Sequence, residues 1–99
     1  MAKGDPRDAL SIEPVGAHVS APTISSATTL TAPDGATKLL AQALTQNVRF
    51  TLDGSAPTAS RGFLLAAGDP PVVIPLGSGT TIKVIEESAT ADLEYQWAA

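Results

Sequence analysis

Cysteine is missing from this 99-residue chain. Disulfides, thiol nucleophiles and thiolate metal sites are excluded together, and the redox compartment is left open. Aromatic residues are scarce: two Phe, one Tyr and one Trp. Hydrophobic residues make up 43% of the sequence, but much of that share is alanine, which removes little area from water, so the core must be thin. Six Lys and Arg stand against ten Asp and Glu, a net charge of −4. An acidic chain with no basic cluster does not attract phosphates, which argues against a nucleic-acid partner. No apolar run approaches the roughly 20 residues needed to span a bilayer, which argues against a membrane. The opening Met1-Ala2-Lys3-Gly4-Asp5-Pro6-Arg7-Asp8 is charged and leads into no apolar stretch, so it does not read as a secretory leader, and synthesis in a cytoplasm is expected.

The length is that of one domain. Residues 1–27 carry Pro6, Pro14 and Pro22 and no sustained period. Proline fixes φ and removes a donor, so neither a long helix nor a central strand is expected there, only one short strand near 15–20. Two readings stand for this segment: a loose terminus, or an extended arm that lies on a neighbouring subunit. Ile12, Val15, Val19 and Ile24 would give the arm side chains to dock, with His18 among them.

From residue 28 the texture changes. Thr28-Thr29-Leu30-Thr31 suits a strand, and Pro33-Asp34-Gly35 supplies a turn. Residues 38–46 fit either a helical face or a strand, and the neighbouring strands favour a strand with a turn at 45–47. Val48, Phe50 and Leu52 alternate with Arg49, Thr51 and Asp53, the period of a half-buried strand. Asp53-Gly54 closes it. Further strands are expected at Gly62-Phe63-Leu64-Leu65, around Val72 and Ile74 (with Pro75 marking an edge or an end), across 80–86, and where Leu93, Tyr95 and Trp97 alternate with polar residues. Short strands with short connections predict an all-β fold: a small antiparallel β-sandwich or barrel over residues 28–99, preceded by an irregular, extended N-terminal arm over 1–27.

No constellation for chemistry emerges. His18 is the only histidine, so neither a Ser-His-Asp triad nor a two-histidine metal motif can be assembled. Asp53-Gly54-Ser55 lacks the ligand spacing of a calcium loop and reads as a turn. Adjacent strand residues face opposite ways, so Glu86 and Glu87 read as a solvated strand end and not an acid/base dyad. Gly77-Ser78-Gly79 has no phosphate-loop lysine and reads as a hairpin turn. Tyr95 and Trp97 are either core or an interface anchor. No catalytic residue, cofactor or metal is expected.

The stretch Val48-Arg49-Phe50-Thr51-Leu52-Asp53-Gly54-Ser55-Ala56-Pro57-Thr58-Ala59-Ser60-Arg61-Gly62-Phe63-Leu64-Leu65 resembles a pattern of small virion structural proteins of tailed bacteriophages. The unit is an alternating strand, Asp-Gly-x-x-Pro-Thr, then Gly-x-x-Leu, followed by short strands. Gly35-Ala36 ahead of the strand at Lys38, and residues 82–85, fit the same layout. The resemblance covers residues 28–97; the arm is not part of it. It implies a small β-sandwich without catalytic residues that decorates or connects parts of a virus particle.

The resulting expectation is a capsid cement or decoration protein on the outer surface of the head, bridging capsid subunits. Its partners would be the major capsid protein and copies of itself, for example as a trimer. A tail, baseplate or fibre-associated component of the same particle is the alternative. A carbohydrate- or protein-binding β-module is a further one, and requires Tyr95 or Trp97 exposed in a groove.

Overall fold

The computed structural model describes residues 12–99. Eight strands follow one another: β1 (Val19–Ala21), β2 (Thr28–Leu30), β3 (Lys38–Ala43), β4 (Val48–Thr51), β5 (Phe63–Leu65), β6 (Val72–Pro75), β7 (Ile82–Glu86) and β8 (Leu93–Ala98). No helix occurs among the described residues. The ambiguous segment at 38–46 is a strand: Leu39, Ala41 and Ala43 are buried and Lys38, Leu40 and Gln42 half-buried, so period 2 prevails over helix propensity.

The strands form two antiparallel four-stranded sheets, ordered β1-β8-β3-β6 and β2-β7-β4-β5. Strand β1 pairs with β8, β2 with β7, β3 with β6 and β4 with β5. The chain is thus one long hairpin, folded at its middle and wrapped over itself. The additional pairs β3–β8 and β4–β7 close the wrapping into two sheets. This is the double Greek-key, or jelly-roll, way of building a sandwich.

Between the sheets lies the core of Ile24, Leu30, Leu39, Val48, Leu65, Ile74, Ile82, Val84, Leu93 and Trp97, filled in by Ala41, Ala43 and Ala91. Each fully buried Leu, Ile or Val contributes about 1.5–3 kcal/mol relative to leaving it in water. The alanines let the two sheets approach closely, which is how a chain poor in large side chains still excludes solvent.

Three expectations change. Thr51 is buried, although alternation places it outward, because the loop after β4 folds back and Thr51 Oγ1 donates to the Ser55 carbonyl. Glu86 is not solvated: it is 8% exposed and its carboxylate binds backbone amides. The described part of the expected arm is built into this chain's own sandwich. Glu13 and Ala99 exchange N–H···O=C bonds of 3.0 and 2.8 Å, Val15 N–H donates to the Trp97 carbonyl at 2.9 Å, and β1 lies along β8. Residues 1–11 of that arm lie outside the described residues.

Candidate interaction surfaces

The connections divide between two ends. The β1–β2, β3–β4, β5–β6 and β7–β8 loops share one. The β2–β3, β4–β5 and β6–β7 loops share the other, together with residues 13–15 and Ala99. This second end carries two clefts. One, of about 310 Å³, lies among Leu30, Ala36, Leu76, Thr80 and Trp97. The other, of about 400 Å³, lies among Phe50, Leu52, Asp53, Arg61 and Phe63.

The β4–β5 loop shapes the larger cleft by local chemistry. Asp53 accepts from Ser55 N–H at 3.0 Å and from Ser55 Oγ at 2.6 Å, the side-chain bond of an Asx turn. Those bonds hold the Asp53 carboxyl below its ordinary value, the Ser55 hydroxyl first. Gly62 has φ +129°, and a Cβ there would sit 3.0 Å from the Phe50 carbonyl oxygen. Only glycine lets the loop re-enter the sheet this close to β4. Phe63 then stands against Phe50, ring centroids 5.5 Å apart.

A polar seam occupies the outer face where β1 meets β8. Glu94 Oε1 is 2.8 Å from His18 Nε2 and accepts from Ser20 Oγ at 2.8 Å. The His18 bond, then Ser20 and Asp92, keep the Glu94 carboxyl below its ordinary value. Asp92 is displaced upward by the hydrogen bond it shares with Glu94, by burial and by the Glu94 charge, and its Oδ1 is buried without a partner. On the other sheet Arg49 Nε donates to Glu87 Oε2 at 2.8 Å and Asn47 Nδ2 to Glu87 Oε1 at 3.1 Å. These two bonds, Asn47 first, lower the Glu87 carboxyl. Both groups are ladders across neighbouring strands, and donors hold the Glu94 and Glu87 carboxylates at their centres. What they do chemically is fix strand register on a solvated face.

The seven residues expected to meet a partner separate. Ile12 is exposed and His18 belongs to the seam. Val15 and Val19 are half-buried, Val15 and Tyr95 packing against the core, and burial raises the Tyr95 hydroxyl. Ile24 and Trp97, 3% and 6% exposed, belong to the core itself. Half-buried Tyr95 meets the buried Trp97 edge-on at 6.1 Å. Besides Ile12, the exposed large apolar side chains among the described residues are Leu44 and four residues not expected at a surface: Phe63 (62%), Leu64 (46%), Val72 (38%) and Val73 (47%). The flank formed by the edge strands β5 and β6 carries all four: Leu64 and Val72 line one small cleft between these strands, and Phe63 and Val73 alternate away from it. The signal was available in Phe63-Leu64-Leu65 and Val72-Val73-Ile74. Consecutive apolar residues on an edge strand cannot all face one core, because successive side chains alternate.

The architecture defines the class: an eight-stranded double Greek-key β-sandwich. Comparison of the chain with protein-family models, with curated proteins and with solved structures gave no match.

Proposed function

We propose that this protein is a non-catalytic structural component of a tailed-bacteriophage virion, a cement or decoration protein that sits on the outer surface of the head and bridges capsid subunits. The observation that carries this reading is the apolar flank of Phe63, Leu64, Val72 and Val73 on a small acidic chain. Exposed apolar side chains gathered on one flank mark surfaces that pack against protein. The resemblance of residues 48–65 to small virion proteins supports the same reading, because that unit builds β4, the Asp53 turn and β5 beside this flank. The double Greek-key sandwich recurs in capsid domains, though also in lectins and cupins, so the fold supports the reading only by analogy. A net charge of −4 suits a protein that stays outside the shell and does not bind packaged DNA. Repeated identical sites on a shell add weak contacts together through avidity.

Electron cryomicroscopy of particles made with and without the protein tests this. The expected result is extra density at regular positions on the head, and heads that lose DNA at lower temperature when the protein is missing. Density on the tail or baseplate instead would move the protein to that part of the particle. Particles of identical density and stability in both preparations would overturn the reading.

A further inference from the structure

An edge strand offers unpaired backbone groups to any chain that can align with it, and natural sheets close such edges with proline, charge or shortness. The edges here are β1 and β6 in one sheet, β2 and β5 in the other. They are not equally closed. Leu76 N–H donates to the Thr37 carbonyl at 2.9 Å, which fixes the phase of the β3–β6 ladder. In that phase Val72 and Ile74 turn their backbone groups inward, and Pro71, Val73 and Pro75 face out. Two of those three positions have no N–H to offer. Strand β1 is bracketed by Pro14 and Pro22, and β2 exposes only threonines, Thr28 and Thr29.

Strand β5 differs. Glu87 N–H donates to the Asn47 carbonyl at 2.9 Å, so Val48 and Phe50 face β5 and bind Leu65 and Phe63. The N–H and C=O of Leu64 therefore point out of the sheet. No proline lies between Pro57 and Pro70, and two exposed apolar side chains, Phe63 and Leu64, sit on this strand.

We propose that β5 is a homotypic docking edge. Two copies pair antiparallel about a two-fold axis at Leu64, exchange one N–H···O=C bond in each direction between the Leu64 backbones, and join two four-stranded sheets into one. A second copy is the occupant that the charges favour. Exposed Arg61 precedes the strand and exposed Asp69 follows it. An antiparallel two-fold brings Arg61 alongside the segment that carries Asp69 of the partner subunit, twice per dimer. Phe63 and Leu64 supply the apolar area, with Val72 beside Leu64 in the cleft between β5 and β6. The contact is isologous and closes at two copies, so it makes a pair and not a trimer. A strand of three residues gives a concentration-dependent pair, which crowding on a surface would reinforce. The inference stands on the edge geometry and does not require the cement reading.

Sedimentation velocity on the full chain over a wide concentration range is the test. The mass is expected to rise from the 10.0 kDa monomer toward twice that value. Leu64→Pro removes the outward N–H and no ladder bond to β4, as the prolines of β6 do, and is expected to stay monomeric with an unchanged circular dichroism spectrum. Leu64→Lys sets like charges at the axis without touching the backbone and is expected to weaken association by at least roughly tenfold. Val73→Lys, on the closed edge, is expected to change it by no more than about threefold. A wild-type monomer at every concentration, a trimer, a dimer that survives both Leu64 variants, or equal disruption by Val73→Lys would each overturn the proposal.

Discussion

Ile24 and Glu86 hold each other twice. Ile24 N–H donates to Glu86 Oε1 at 2.8 Å, and Glu86 N–H donates to the Ile24 carbonyl at 2.9 Å. The same Oε1 accepts Ala91 N–H at 3.4 Å. One carboxylate therefore ties the crossing from β1 to β2 and the β7–β8 turn to the end of β7. Removing it strands two amides in a nearly dry site, so Glu86→Ala is expected to lose about 2–3 kcal/mol. Glu86→Gln keeps an acceptor oxygen and should lose less. Urea unfolding measures both, and an alanine variant as stable as the wild type would show that the clamp contributes nothing.

The approach of Gly62 to β4 gives a second prediction. A methyl group there meets the Phe50 carbonyl at 3.0 Å in a backbone conformation that disfavours L side chains. Gly62→Ala is expected to cost about 1–3 kcal/mol. Gly79→Ala, where nothing lies within 4 Å of the added methyl, should stay within about 0.5 kcal/mol of the wild type. Equal midpoints for the two variants in chemical denaturation would contradict the packing of the β4–β5 loop.

Trp97 is the only tryptophan and is 6% exposed. Its fluorescence should be blue-shifted and resistant to iodide in the native protein, then shift red on unfolding. Trp97→Ala is expected to lose about 3–5 kcal/mol, the scale of emptying a core site of an indole ring. Free quenching of the native protein would place the ring at the surface after all.

The seam between β1 and β8 makes stability depend on pH in two opposed ways. The Glu94 carboxyl is held low, by His18 first, and contributes stability that is present above its ordinary 4.5 and is lost as pH falls through the lowered value. Asp92 is displaced upward from 3.8, by its bond to Glu94 first. Its contribution is complete below 3.8 and disappears as pH rises through the raised value, leaving two carboxylates in mutual repulsion at neutrality. Asp92→Asn should therefore raise the melting temperature by a few degrees at pH 7, with the gain shrinking as the solution is acidified. A thermal scan series across pH checks this; no gain at pH 7 would mean that the repulsion is not felt.

The strands of residues 38–98 were legible because alternation is a local property. Val84 and Lys83, or Leu39 and Leu40, announce their faces through position alone once the period is taken as 2. Turn residues were legible for the same reason: Gly35 and Gly54 adopt φ of +89° and +85°, as their Asp-Gly contexts suggest. What stayed hidden depends on partners far along the chain. Nothing near Glu86 in sequence reveals that Ile24, 62 residues away, will donate to it. Likewise Trp97 looked like a candidate anchor because no local pattern indicates that β8 runs in the middle of a sheet. The exposed flank was missed for the converse reason: hydrophobicity was taken as burial, although an edge strand has a second face.

The positions of β7 and β8 have a consequence for how the molecule is made. Each is an interior strand, β8 between β1 and β3 and β7 between β2 and β4. A growing chain can form the β3–β6 and β4–β5 ladders early, but the first two strands have no neighbour until residues 82–98 exist. A copy that stops short of β7 therefore holds two separated half-sheets and an uncovered interior. A chain truncated there leaves β1 and β2 without the partners that build them into the sandwich.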